Sequence, residues 1–312
     1  MNWFDAYRPQ LSEVFSGSEI IISKFPTPLD RLGLDYLAKF DACKEDSTKN
    51  YICYLLPFWM EDLAPLPAET IRKLSIANVF VMLYFFIQDD IMDSTTHEHK
   101  AKLPLSNLFY LQFLSIYREL FPPDSTFWIY FEEYIIEWSE AVTNENNANY
   151  FIDDIGKVAK KASPIKFAST GALLLSNQPH LIPSTSRAID QVLVTLQMLD
   201  DWADWQEDLK DDAYNCLLAM LSSHLQLAPE SQLSAETVKQ YVYVHDFLLH
   251  YSQIASSQHQ QFIQLDLEIP QLWSFHDSLV NNLLTAANTI KKNRKTLSLG
   301  GLYYFLSKNN EN

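Results

Sequence analysis

The stretch Phe80-Val-Met-Leu-Tyr-Phe-Phe-Ile-Gln-Asp89-Asp90-Ile-Met-Asp93 decides how the rest of the chain is read. A strongly apolar run ends abruptly in aspartates. On an α-helix Asp89 and Asp93 share one face, about 6 Å apart along the axis. Like charges at the end of an apolar helix repel one another and are costly to take out of water. A hard divalent cation is the natural counter-charge, because such ions take carboxylate oxygens.

Outward from this stretch the pattern stays helical. Pro67 and Glu69, with Thr70 in the first turn, mark the start of one long helix over 68–93. Before it, helices are expected at 2–15 (stopped near Ser16-Gly17-Ser18), 29–42 and 50–62. After a polar segment at 94–103 come 105–121, a helix capped by Asp124-Ser125 and reaching about Val142, and a pair over 150–178 kinked at Ser163-Pro164. Ser184–Leu209, 212–226, 234–264 and 268–295 follow, and a short apolar piece, Leu302–Leu306, comes last.

The chain has 312 residues, 47% of them hydrophobic and only six of them glycine. No strict apolar–polar alternation bounded by glycine turns is present, so the fold class expected is all-α, one helical-bundle domain over 1–312. The net charge of −16 argues against a nucleic-acid partner. It leaves room for an anionic small substrate, since a bound metal inverts the local sign. Cys43, Cys53 and Cys216 lack metal-like or paired spacing and read as buried thiols of a reducing compartment. The N-terminus has no basic-then-apolar leader, and the run Ile76–Ile87 is too short to span a bilayer, so a cytoplasmic protein without stable membrane insertion is expected.

A second acidic cluster lies in Gln197-Met-Leu-Asp200-Asp201-Trp202-Ala-Asp204-Trp-Gln-Glu-Asp208. Asp200, Asp204 and Asp208 form a carboxylate stripe at i, i+4 and i+8, flanked by Asp201. If the two acidic helices face each other across a bundle, they form the jaws of a multi-metal site. A di-iron bundle would need Glu-x-x-His pairs, and none occurs. His97 and His99 suit a surface loop, and zinc-type spacing is absent.

Phe85–Asp93 resembles the first aspartate-rich motif of the class I isoprenoid synthases, the trans-prenyl diphosphate synthases and terpene cyclases. Gln197–Asp204 is similar to the second aspartate motif of the prenyl synthases. The triad Asp200, Asp204 and Asp208 also has cyclase spacing, though cyclases usually carry Ser/Thr and Glu at the last two. Lys161-Ala-Ser, followed by Gly171-Ala-Leu-Leu, is similar to the Lys-Thr helix of the prenyl synthases. The resemblance covers roughly 75–212 and implies a helical bundle around a central active-site cavity.

It further implies three Mg²⁺ ions held by Asp89, Asp93, Asp200, Asp204 and Asp208, with Asp90 also catalytic. A prenyl diphosphate substrate is implied, its diphosphate gripped by metal and by basic residues: Lys161 above all, with Lys166, Lys210 and Arg294 as candidates. Gln197, Asp201 and Trp202 join the substrate-binding set. Tyr84 and Phe85, just before the first motif, would floor the pocket and suit a C15 chain, with C10 and C20 open. Phe80, Phe113, Trp138, Phe167, Trp202 and Trp205 are candidate cation-facing aromatics, or ordinary core. The segment 94–103 would close as a lid.

Chain-elongating relatives carry an arginine pair after the first motif and an N-terminal Gly-Lys-Arg for a second diphosphate. Neither is present here. The expectation is therefore a Mg-dependent terpene synthase, a lyase that ionises farnesyl diphosphate (or its geranyl or geranylgeranyl homologue) and cyclises or quenches the cation. The alternatives are a prenyltransferase using isopentenyl diphosphate or another acceptor, and a non-catalytic regulatory relative. Dimers are common in the family, and no residue pattern here decides between a monomer and a homodimer.

Overall fold

The computed structural model describes residues 3–93, 102–145, 148–228 and 231–298, with the side chains of residues 3, 4 and 93 outside that description. Among the described residues there are helices and turns and no strand. The helices are α1 (Trp3–Ile22), α2 (Leu29–Ala38), α3 (Tyr51–Trp59), α4 (Ala68–Asp93), α5 (Leu103–Leu120), α6 (Phe127–Asn144), α7 (Tyr150–Asp153), α8 (Gly156–Lys160), α9 (Lys166–Leu175), α10 (Ile182–Asp211), α11 (Cys216–His224), α12 (Ala235–Val244), α13 (Phe247–Ile263) and α14 (Pro270–Ser298). They divide into two compact units. One holds residues 1–136, 163–186 and 267–269, and the other 137–162, 187–266 and 270–312.

The first unit is built around α4, which packs against α1, α3, α5 and α9. Val79, Phe80, Val81, Met82 and Leu83 are all buried in succession. A helix buried on every side is the centre of a core, not an amphipathic wall. Each such side chain contributes about 1.5–3 kcal/mol on burial. The expectation that this region is too short to span a bilayer needs correction. Residues Ala68–Met92 are long and apolar enough to cross one, with a mean hydropathy of 1.5, because Ser75, Asn78 and the flanking residues do not interrupt the helix. Most of that window is buried inside the unit.

Small residues let neighbouring helices close on this core. The expected stop at Ser16-Gly17-Ser18 does not occur, and α1 runs on to Ile22. A Cβ on Gly17 would sit 2.9 Å from Ile76 Cδ1, so the glycine permits contact with α4. Buried Ser18 returns its hydroxyl to Val14 O (2.9 Å) and costs the helix nothing unsatisfied. Aromatic rings fill the space beyond, with Phe121 stacked on Phe127 at 4.0 Å and Phe131 on Phe167 at 4.5 Å.

In the second unit α13 packs on α14, and α11 on α7. The single helix expected over 234–264 is two helices. Asp246 takes a left-handed conformation (φ 57°), which breaks the ladder between α12 and α13. The pair over 150–178 is likewise cut into α7, α8, a 3-10 turn at Ser163–Ile165 and α9. Cys53 and Cys216 are buried as expected, but Cys43 is exposed. It follows buried Asp41 in a turn, where Asp41 Oδ1 accepts from the Cys43 amide, so the thiol falls on the outer side. The expected segment Leu302–Leu306, His97 and His99 lie outside the described residues.

Candidate functional site

The first acidic cluster sits at the C-terminal end of α4, in the first unit. Asp89 is exposed and Asp90 half-buried. A helix C-terminus carries the negative end of the backbone dipole, so carboxylates there are placed against the local field. Lys102 meets that charge, its Nζ 3.1 Å from Asp90 Oδ2 and 5.4 Å from the Tyr36 ring centre. Tyr36 hydrogen-bonds Asp90. Burial first, then the charges of Asp90 and Asp89, push its phenol far above the ordinary range, so it stays protonated. Lys102 and Tyr36 have no signature in the sequence. The lysine follows the polar segment, and the tyrosine comes from α2, some fifty residues upstream. The side chain of Asp93 and most of the expected lid fall outside the described residues.

Next along α4 from this cluster, Tyr84 and Phe85 are half-buried and meet edge to face at 4.8 Å. Tyr84 also contacts Tyr110 and Phe113, and Phe80 packs on Phe109 one turn earlier. Lys166 is fully buried, its ammonium 4.6 Å over the Tyr134 ring centre. Tyr134 in turn shares a hydrogen bond with Thr170 (2.9 Å). Phe113 and Phe167 are fully buried core.

The second cluster runs along α10 in the second unit. Asp200 and Asp204 are exposed and Asp208 is half-buried. Protein crowds Asp200 even though its surface reaches solvent. Desolvation, then Asp204 and Asp208, raise its carboxyl pKa, while Lys161 works the other way. Desolvation also raises Asp208, opposed by a hydrogen bond from Asn215 and reinforced by Asp204 and Glu207. Mutual repulsion of this kind is what a bound cation relieves.

Asp201 has another job. It is buried, and its Oδ2 accepts from the Cys216 amide at 2.5 Å while Oδ1 accepts from Gln197 Nε2 at 2.7 Å. Burial nonetheless lifts its pKa to about 6. Gln197 therefore orients Asp201, and Asp201 closes the N-terminus of α11. Asn215 is the N-cap of the same helix, accepting from Leu217 N and Leu218 N. Its amide nitrogen donates to Asp201 O (2.8 Å) and Asp208 Oδ2 (2.7 Å). The motif reading did not single out Asn215. Its signal was the asparagine directly before Cys216-Leu217-Leu218, an N-cap pattern.

The remaining basic candidates divide. Lys161 is ion-paired with Glu145 and acts electrostatically on Asp200, Asp201 and Asp208. Its neighbour Lys160, not one of the candidates, is held by Glu137 (2.5 Å) and Asp190 (3.4 Å). Lys210 is largely exposed, 3.8 Å from Asp211. Arg294 Nη1 donates to Val244 O (2.6 Å) and Nη2 to Asp246 (2.7 Å), which ties it to the left-handed turn between α12 and α13. Trp202 is half-buried, Trp138 is half-buried and Trp205 is core.

Among the described residues no group of three His, Cys, Asp or Glu side chains is gathered closely enough to hold a metal. The donors are nonetheless carboxylate oxygens, and those along α10 repel one another. That suits Mg²⁺, which is held by one or two carboxylates, with water and substrate phosphate completing its shell. The residues fit such an ion in that open form.

No protein-family model matches the chain, and no curated protein matches it. Among solved structures it is similar to a geranylgeranyl pyrophosphate synthase from Lactobacillus brevis ATCC 367, at 16% identity. The likeness covers 90% of this chain and 97% of that one, with a TM-score of 0.69. The chain thus has the all-α fold of the class I isoprenoid synthases, in the form seen in a prenyl diphosphate synthase.

Proposed function

We propose that the chain is a Mg²⁺-dependent prenyltransferase, which ionises an allylic prenyl diphosphate and passes the prenyl group to an acceptor such as isopentenyl diphosphate. The observation that carries this reading is the likeness in fold, over nearly the whole chain, to a geranylgeranyl pyrophosphate synthase. It moves the balance from the cyclase expected from sequence to the transferase. The two carboxylate clusters supply the chemistry, with Asp89, Asp93, Asp200, Asp204 and Asp208 as metal ligands. Bound Mg²⁺ would neutralise the charge that builds on the departing diphosphate.

The chain's own residues would do the rest. Lys161, beside the second cluster, would turn from Glu145 toward the diphosphate. Asp201, already committed to α11 and Gln197, would hold the helix bearing the ligands in place. Tyr84, Phe85 and the aromatic packing behind them would keep the hydrocarbon tail in a dry setting, where a carbocation escapes water. Their bulk supports a C15 allylic substrate.

Cyclisation of a single substrate is the second reading. It is favoured by the lack of arginine over 94–102 and of any Gly-Lys-Arg in the first hundred residues. Incubation of the pure chain with each allylic diphosphate and Mg²⁺, with and without isopentenyl diphosphate, tests both. Longer prenyl diphosphates formed only with isopentenyl diphosphate support the transferase. A hydrocarbon or alcohol from one substrate alone supports the cyclase and overturns the first reading.

A further inference from the structure

Asn215 is 2% exposed and uses its whole side-chain amide. Oδ1 accepts from Leu217 N (2.9 Å) and Leu218 N (3.1 Å), and Nδ2 donates to Asp201 O (2.8 Å) and Asp208 Oδ2 (2.7 Å). An amide offers two acceptor and two donor positions, and all four are taken. The orientation of the amide is fixed by its partners. Turned over, it would set its NH₂ against two backbone N–H donors and its oxygen against a carbonyl and a carboxylate.

The consequence is a clasp between two helices of the second unit. Asp208 lies two turns beyond Asp201 on α10, and Asn215 spans both from the N-cap of α11. Asp201 returns the bond from the other side by accepting from Cys216 N. A half-buried aspartate in the last turn of a helix would otherwise turn freely about its two side-chain torsions, and a strong hydrogen bond to Oδ2 restricts the carboxylate to orientations that keep that bond. Asp208 and Asn215 also line a polar groove of about 430 Å³ with Asp212, Tyr214 and Ser222, so the held carboxylate borders open space.

We infer that Asn215 is a positioning residue, which presets the Asp208 carboxylate for a divalent cation while capping the helix that follows. The metal part of this inference rests on the function proposed above. Groups that orient a ligating carboxylate commonly change metal affinity by about 10–100-fold when removed. Capping and positioning are separable, because serine or threonine keeps an acceptor oxygen at the N-cap but does not reproduce the amide nitrogen that reaches Asp208.

The test is a Mn²⁺ titration of the full chain, followed by electron paramagnetic resonance in the presence of inorganic diphosphate, with melting curves beside it. Asn215→Ser should weaken Mn²⁺ binding by about tenfold with little loss of melting temperature. Asn215→Ala, which also loses the cap, should melt lower. Asn215→Thr is run in parallel so that a folded, capped variant is secured. In an Asp208→Asn background the Asn215→Ser change should have no further effect on affinity. The inference is overturned if the capped variants bind Mn²⁺ as the unaltered chain does, or if the weakening persists undiminished without the Asp208 carboxylate. If the unaltered chain binds no Mn²⁺ at all, the metal reading of the function falls with it, a result distinct from the first two.

Discussion

Asp89 and Asp90 lie at the end of a helix whose middle is buried on every side, whereas Asp200, Asp204 and Asp208 run along the outer face of a helix that is only partly buried. The first pair lies at the negative end of its helix and is balanced by a lysine from the next element and a tyrosine from α2. In the second set Asp208 accepts a hydrogen bond from Asn215, and the flanking Asp201 accepts one from the Cys216 amide, both at the start of the helix that follows. Two similar-looking motifs are thus held in different ways, one by charge and one by a backbone-anchored clasp. The first should respond to salt and to Lys102, and the second to the packing of α11.

The largest effect expected is shared by both regions. Asp89→Ala and Asp200→Ala should each lower the rate of diphosphate release by about 10³-fold or more, read as kcat with saturating Mg²⁺. Full activity in either would show that one cluster is ordinary helix-end charge. Acid separates the regions next. His276 in the second unit is fully buried, donates to or accepts from Thr195 at 2.7 Å, and meets His259 edge to face at 4.9 Å. Desolvation, then His259, lower its pKa to about 3. The folded chain therefore keeps it neutral while the unfolded chain protonates it near pH 6.5. The contribution of His276 is full above that value and falls by about 1.4 kcal/mol per pH unit as pH drops toward 3, while Asp201, with its raised pKa, acts in the opposite direction below about pH 6. Urea unfolding of the chain and of His276→Gln between pH 7 and 5 measures this contribution as the difference between the two slopes, the variant losing less stability toward acid. Hydrogen exchange should place the acid-induced opening in residues 187–298, not around α4.

A smaller effect concerns Asp201. Asp201→Ala leaves the buried Cys216 amide unpaired, which costs about 1–3 kcal/mol in urea unfolding. Asp89→Ala, on the exposed end of α4, should change stability by no more than about 0.5 kcal/mol. Equal losses would erase the distinction between a clasped and an unclasped cluster. Smallest is Lys102→Met, which removes a half-exposed ion pair and should shift stability by less than about 1 kcal/mol. Its effect should shrink further in high salt.

The sequence made the all-α fold legible because its apolar residues recur at helical spacing and glycine is scarce. It also located both acidic stripes, since i, i+4 spacing needs no tertiary information. It misplaced helix ends where tertiary contact overrode local signals. Gly17 looked like a stop but serves as a close approach to Ile76, and Asp246 gave no warning of a left-handed break. Partners drawn from distant segments were not legible at all. Tyr36 against Asp90, Lys166 over Tyr134 and Arg294 at the α12–α13 turn depend on how helices pack, which no local pattern encodes. Asn215 lies between these cases. Its capping role could be read locally, but its bond to Asp208 could not.

One measurement tests the central claim most directly: product analysis after incubation with geranyl, farnesyl and geranylgeranyl diphosphates, isopentenyl diphosphate and Mg²⁺, against the same mixture with chelator. Mg²⁺-dependent consumption of an allylic diphosphate is expected, with a longer prenyl diphosphate as product and neither seen in Asp89→Ala or Asp200→Ala. An unchanged mixture with all three substrates, or turnover indifferent to chelator and to both aspartates, would contradict it.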